Sequence, residues 1–130
     1  MALSKEVNHQ KERVVLCVLD LSTMEADGAA ICTLPPGSVV TGGFMFVHTV
    51  YTTTANGIIG DATDDNRYLT ATAIGTSSTV TALLVTGFEI TSTETDILFT
   101  PSAIDATSPA GEIHIVIRYV VHGVGDFTVG

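Results

Sequence analysis

The chain has 130 residues, the size of a single domain, and such a chain can bury an ordinary hydrophobic core without a disulfide or a metal. Hydrophobic residues make up 45% of it and charged residues 15%, which excludes an intrinsically disordered protein. The net charge is −9, and three of the five basic residues are Lys5, Lys11 and Arg13. The acidic remainder argues against binding to nucleic acid and to anionic membranes.

Membrane insertion and secretion are both disfavoured by the sequence. No stretch reaches the roughly 18 to 20 apolar residues of a membrane span, and the N-terminus has no apolar segment after its first positive charge, unlike a secretory signal. We therefore expect synthesis and use in a cytoplasm. There Cys17 and Cys32, both in apolar extended segments, are expected to be small buried hydrophobes, although a disulfide remains geometrically possible.

The polarity of the chain divides it into three parts. Residues 1–12 are polar and have no periodicity, which predicts an extended N-terminal arm that is either disordered or ordered only against a neighbour. Residues 13–123 form the predicted β-sandwich domain, and residues 124–130 form a C-terminal tail. The chain is rich in threonine, valine and isoleucine, which suit a pleated and half-buried surface.

The alternation of apolar and polar residues predicts about eight strands and no helix. The first is apolar on both faces, which predicts burial in the interior of a sheet or at a subunit contact. With turns every 8 to 12 residues, this pattern is typical of an antiparallel sandwich or barrel, and the sequence leaves both closures open. The predicted strands are residues 13–21, 29–34, 39–54, 58–60, 67–74, one or two within 80–90, 96–100 and 112–122.

Glycine and proline punctuate the strands. Pro35, Pro36 and Gly37 predict a tight corner. The Gly42-Gly43 pair inside the long third strand predicts a bulge or bend that would let this strand serve two sheets. The Asn-Gly pair at residues 56–57 predicts a hairpin turn.

The last strand has the clearest period of two. One of its faces is apolar throughout, and the other mixes aliphatic and charged residues, as expected of a solvated face or of an intersubunit face. The low overall charge and the first strand favour oligomerisation, so we predict Val116, Arg118 and Val120 as contacts between subunits. The apolar face consists of Ile113, Ile115, Ile117, Tyr119 and Val121.

The sequence shows no pattern of an enzyme. It has no Gly-x-Ser-x-Gly and no His-Glu-x-x-His motif, so we expect no catalytic residues, no cofactor and no metal. His114 and His122 share a strand face but lie roughly 26 Å apart, too far to bind one ion within a single subunit. The histidines are expected to be partly exposed residues of the sheet.

A cluster of acidic residues allows two predictions, and one of them is a cation site. Asp61, Asp64 and Asp65 offer carboxylates for Ca²⁺, but an EF-hand beginning at Asp61 fails because Asn66 and Thr72 replace the required glycine and glutamate. The alternative is a loop in which these side chains bond to their own backbone.

Four turn and strand segments within residues 30–122 form a recognisable order: LPPGSVVTGG at 34–43, IGDATDDNRYL at 59–69, AGE at 110–112 and IVIRYVV at 115–121. In these segments the sequence resembles the small capsid decoration, or cement, proteins of tailed bacteriophages. The resemblance implies a jelly-roll-like β-sandwich, a homotrimer, and a place on the outer surface of the virion. It also implies the major capsid protein as partner, with neighbouring capsid subunits clamped against the pressure of packaged DNA.

The resemblance carries no catalytic or cofactor residue and gives no pattern for the N-terminus. From charge and polarity we predict that Lys5, Lys11 and Arg13 belong to a capsid-binding arm. The rival prediction is a receptor- or glycan-binding module of a head fibre or tail on a similar sandwich. It requires exposed aromatic residues, for which Tyr51, Tyr68 and Phe127 are the candidates.

Overall fold

The computed structural model describes residues 12–21, 28–49, 55–75, 77–91, 93–102 and 111–121. These residues contain no helix long and apolar enough to cross a membrane. The arm predicted at 1–12, apart from Glu12, and the tail predicted at 124–130 lie outside this part of the chain, so the domain boundaries stay predictions. The described residues form eight strands: β1 (Arg13–Asp20), β2 (Ala29–Leu34), β3 (Ser38–Thr49), β4 (Asn56–Gly60), β5 (Leu69–Ala73), β6 (Val80–Ala82), β7 (Thr95–Pro101) and β8 (Glu112–Val121).

The strands form two four-stranded sheets, in the orders β1-β8-β3-β6 and β2-β7-β4-β5. All pairs are antiparallel, and the first strand pairs with the eighth, the second with the seventh, the third with the sixth and the fourth with the fifth. The chain is therefore one long hairpin folded over on itself, with successive pairs in alternate sheets. This is the topology of a jelly roll. It confirms the predicted β-sandwich and decides against a closed barrel.

The core lies between the two sheets and follows the period-2 pattern of the strands. Ile113, Ile115 and Ile117 of β8 are at most 1% exposed, which confirms the predicted apolar face. Full burial of such a side chain stabilises the fold by about 1.5–3 kcal/mol. The same cluster includes Met45 and Val47 of the first sheet and Leu34, Ile59, Ile97 and Phe99 of the second.

The first strand departs from its prediction. It is an edge strand of its sheet, and Val14, Leu16 and Val18 are 61%, 64% and 52% exposed. The prediction of a place inside the sheet is therefore wrong, because the apolar residues of its second face point away from the core. The other prediction, that this face lies at a subunit contact, stays open.

The glycine pair in β3 also departs from its prediction, in part. The register shifts between Val40 and Gly42, as expected for a bulge, but β3 lies in one sheet along its whole described length. The chain instead changes sheets at the Pro35–Gly37 corner, which connects β2 to β3 and closes with a hydrogen bond from Ser38 N to Pro35 O.

The prediction of a hairpin turn at Asn56 and Gly57 is wrong. Asn56 and Gly57 lie in β4, opposite Ala73 and Thr72 of β5. A Cβ on Gly57 would lie 2.4 Å from Cε2 of Phe99, a fully buried ring. The glycine therefore serves the packing of the core and forms no turn.

Candidate functional site

The outward side of the first sheet, here called the outer face, carries most of the exposed large hydrophobic residues. Leu16, Val116, Phe44 and Ala82 lie opposite one another in register and form an apolar row across all four strands. A second row runs through Val18, His114, Phe46 and Val80. Residues opposite each other on one face of an antiparallel sheet have Cβ atoms about 4.5–5.5 Å apart, so each row is continuous.

The residues predicted as subunit contacts lie on this face. Val116 is half-buried within the first row, while Val120 is half-buried and Arg118 exposed further along β8. Arg118 crosses β3 above Gly42, where a Cβ would approach its Nη2 to 2.4 Å. The outer face thus joins an apolar centre to a guanidinium group at its margin.

Only one of the three predicted arm residues can be placed. Arg13 is the first residue of β1, opposite Tyr119, and it is exposed at the edge of the sheet. Beside it, Glu12 accepts a hydrogen bond of 2.5 Å from Thr41 Oγ1 of β3. Lys5 and Lys11 lie outside the described residues, so their part in an arm stays a prediction.

The Asp61 loop follows the structural alternative of its prediction. Oδ1 of Asp61 accepts hydrogen bonds from Thr63 N, Thr63 Oγ1 and Asp64 N at 3.0, 2.8 and 2.9 Å. Oδ2 accepts one from Arg67 Nε at 2.8 Å, and the Arg67 guanidinium also lies 3.5 Å above the ring of Phe88. Burial raises the pKa of Asp61, but the hydrogen bonds from Arg67, Thr63 and Asp64 outweigh it and leave that pKa below its usual value. The carboxylate of Asp61 is saturated by the protein itself, which disfavours it as a Ca²⁺ ligand.

A polar cluster at the end of the outer face was missed by the sequence reasoning. Glu112 Oε2 lies 2.9 Å from Nδ1 of His48 and 3.2 Å from Nε2 of His114. The two imidazole rings are stacked, with centroids 5.2 Å apart and planes at 2°. Glu112 and His114 share a strand face in the sequence, but nothing local indicates that β3 brings His48 beside them.

The remaining candidate residues that the structure describes are buried or half-buried. Tyr68 is 2% exposed, so it cannot serve the glycan-binding alternative, while Tyr51 and Phe127 lie outside the described residues. Cys17 and Cys32 are free, half-buried thiols packed against the core. Burial raises the pKa of both, that of Cys32 to about 11, so neither favours the thiolate that metal binding requires.

Comparison with known proteins finds similarity at the level of the fold. No protein-family model matches the sequence, and no curated protein does. A chain of the capsid asymmetric unit of cyanophage Pam1 is similar over 87% of this chain and 86% of its own, with a TM-score of 0.69 and 24% identity. A chain of the capsid of Ralstonia phage GP4 is similar over 90% of this chain and 88% of its own, with a TM-score of 0.66 and 15% identity. A chain of the acid-stable capsid of Helicobacter pylori bacteriophage KHP30 is similar over 87% of this chain and 90% of its own, with a TM-score of 0.67 and 12% identity. The jelly roll described above is thus a fold that also occurs in chains of three phage capsids.

Proposed function

We propose that this protein is a structural component of a bacteriophage virion that binds the outer surface of the capsid as a homotrimer. In this role it cements neighbouring major capsid subunits against the internal pressure of DNA, and it acts by static binding, without turnover. Support comes from the fold, which recurs in chains of three phage capsids. The net charge of −9 is also better suited to the outside of a shell than to its DNA-filled interior.

The observation that carries the proposal is the apolar outer face. Large hydrophobic side chains stand exposed on all the strands of one sheet except the central β8, whose Val116 completes the row between Leu16 and Phe44. A contiguous exposed apolar patch on a soluble protein marks an interaction surface. Among the described residues β1 is the edge strand of its sheet, and edge strands favour pairing with another chain. We assign this surface to the contact with sister subunits.

The trimer is tested by placing a charge in the middle of the outer face. Leu16→Asp is the variant, and Val85→Asp is its matched control, because the two side chains are 64% and 63% exposed but Val85 lies outside the strands of the outer face. Light scattering coupled to size exclusion is expected to give a trimer for the wild type and for Val85→Asp, and a monomer for Leu16→Asp. A monomeric wild type at micromolar concentration would remove the trimer from the proposal.

Capsid binding is tested by co-sedimentation with capsids stripped of this protein. We expect the trimer to bind, and we expect deletion of residues 1–12 to weaken binding because the arm contributes many shallow contacts repeated three times. Binding that is unchanged by the deletion would refute the role of the arm. Decorated capsids should also retain their DNA at a higher temperature than stripped ones, and equal release temperatures would refute the cementing role.

The rival function, receptor or glycan binding, loses one of its three aromatic candidates. Tyr68 is buried, and the guanidinium of Arg67 lies over one face of the exposed Phe88 ring, 3.5 Å from its centre. A glycan array separates the two functions, since specific hits would favour the rival and a blank array is expected of a cement protein.

A further inference from the structure

We propose that His48, Glu112 and His114 form a binding site for Zn²⁺ at the end of the outer face. Two imidazoles and one carboxylate are a ligand set that zinc uses in proteins, with a fourth position left to solvent. One donor atom from each of the three residues lies within 4.8 Å of the other two. The site does not depend on the proposed capsid role, because a single subunit supplies all three ligands.

The distances between the donor atoms suit a tetrahedral ion. Bonds of about 2.0–2.1 Å to zinc place neighbouring ligand atoms roughly 3.3 Å apart. Oε2 of Glu112 lies 2.9 Å from Nδ1 of His48 and 3.2 Å from Nε2 of His114. Both ring nitrogens therefore lie within reach of the same carboxylate oxygen, and a zinc ion shared by the three donors requires the carboxylate to move and the two stacked rings to tilt toward the ion.

The pairing of β3 with β8 brings His48 beside Glu112. Val47 lies opposite Ile113 and Thr49 lies opposite Glu112, so His48 and Thr49 together oppose Glu112 in a β-bulge. Side chains that oppose one another on one face of an antiparallel pair have Cβ atoms about 4.5–5.5 Å apart. The register between the two strands therefore places the imidazole of His48 within reach of the carboxylate.

The rings already pack against one another before any ion binds. The ring of Phe46 packs edge-on against His48 and His114, with centroids 6.3 and 6.0 Å away, and the two imidazoles stack on each other. Aromatic rings prefer such edge-on and stacked arrangements. Thr49 Oγ1, 3.1 Å from Nδ1 of His48, adds a polar neighbour. In the single subunit the side chains of His48, Glu112 and His114 are 54%, 38% and 31% exposed, which leaves a path for an ion.

The choice of zinc follows from the ligand types. Ca²⁺ and Mg²⁺ prefer oxygen ligands in sets of six or more, whereas imidazole suits Zn²⁺ and other late first-row metals. The site is therefore expected to bind Zn²⁺, and Co²⁺ in its place, but neither Ca²⁺ nor Mg²⁺ at the same concentration.

The test is a calorimetric titration of the full chain, made without a histidine tag, with Zn²⁺. We expect one ion per subunit, and binding at least about tenfold weaker in each of His48→Gln, Glu112→Gln and His114→Gln. The matched control is His122→Gln, since His122 is a histidine of the same chain that follows β8 in the sequence and is not one of the three proposed ligands. A double variant, Cys17→Ser with Cys32→Ser, should bind as the wild type does.

A second readout does not rely on variants. Among the imidazole signals of the four histidines, zinc should shift those of His48 and His114 and leave those of His9 and His122 in place. The proposal is overturned if the wild type binds no zinc, if the three ligand variants bind it as tightly as the wild type, or if Ca²⁺ competes equally. Shifts confined to His9 or His122 would also overturn it.

Discussion

Replacing Asp61 by asparagine tests how the loop between β4 and β5 is stabilised. The wild-type carboxylate is 3% exposed and accepts four hydrogen bonds from Thr63, Asp64 and Arg67. Asparagine keeps one oxygen for the bonds to Thr63 and Asp64, but its amide nitrogen would face the Nε–H of Arg67, so the ion pair is lost. A hydrogen bond between charged groups contributes about 1.5–3 kcal/mol, and we expect Asp61→Asn to lower the free energy of unfolding by about 2 kcal/mol.

The assay is urea denaturation at fixed protein concentration, because any association of subunits makes apparent stability depend on concentration. A loss of 2 kcal/mol corresponds to about 7 °C in Tm for a domain of this length. Asp64→Asn is the matched control, since the carboxylate of Asp64 accepts one long bond, 3.4 Å from Asn66 N. It should change stability by less than about 0.5 kcal/mol.

The pH dependence gives a sharper test of the same pair. The folded pKa of Asp61 lies below its ordinary value, so the unfolded chain takes up the proton first as the pH falls. The stabilisation is therefore complete above the ordinary carboxyl pKa of about 3.9 and is lost as the pH falls through the folded value. The difference between wild type and Asp61→Asn should be constant from about pH 7 to 5 and shrink below about pH 4. A difference that persists unchanged in acid, or an equal effect of Asp64→Asn, would refute the ion-pair explanation.

Two further predictions concern the interior. Gly57→Ala brings a Cβ to 2.4 Å from the ring of Phe99 and should lower the free energy of unfolding by about 2 kcal/mol through overpacking. Combined with Phe99→Leu, it should lower that free energy by less than the sum of the two single changes. Strict additivity of the two changes in urea denaturation would contradict the contact. Burial, with Cys17 and Asp96 nearby, raises the pKa of Cys32 to about 11. Alkylation of Cys32 by iodoacetamide at mildly alkaline pH should therefore be at least about tenfold slower in the folded protein than in urea, and equal rates would contradict the protonated thiol.

Much of the fold follows from local chemistry that the sequence displays directly. The alternation in β8 predicted its inward face, because side chains of a strand point to opposite sides in turn. The Pro35–Gly37 corner was predicted from the restricted φ of proline and the freedom of glycine, and Gly37 has a φ of +90°. The self-bonded Asp61 loop was predicted as one alternative, since aspartate side chains readily bond to the backbone two or three residues on.

The errors share a physical cause. The sequence of β1 shows that both faces of the strand are apolar, but it does not show which face packs against the core. That depends on the part of the protein that lies against each face. Gly57 predicted a turn, whereas it lies within β4 and leaves space for the ring of Phe99. Gly42 lies at the predicted bulge, but it also leaves space for the side chain of Arg118. The sequence does not distinguish a glycine required for a turn or bulge from one that makes room for a distant side chain, and only the packing of the folded protein separates the two roles.

The sequence by itself determined that the chain forms strands, roughly where most of them lie, and which face of β8 is buried, because periodicity and turn chemistry act between residues close in the chain. The tertiary structure decided that β1 is an edge strand and that its aliphatic residues continue across β8, β3 and β6 as the outer face. It also decided that the pairing of β3 with β8 sets His48 beside Glu112 and His114. These results depend on the register between strands far apart in sequence. Such pairings are fixed by the burial of a shared core and leave no local mark on the chain.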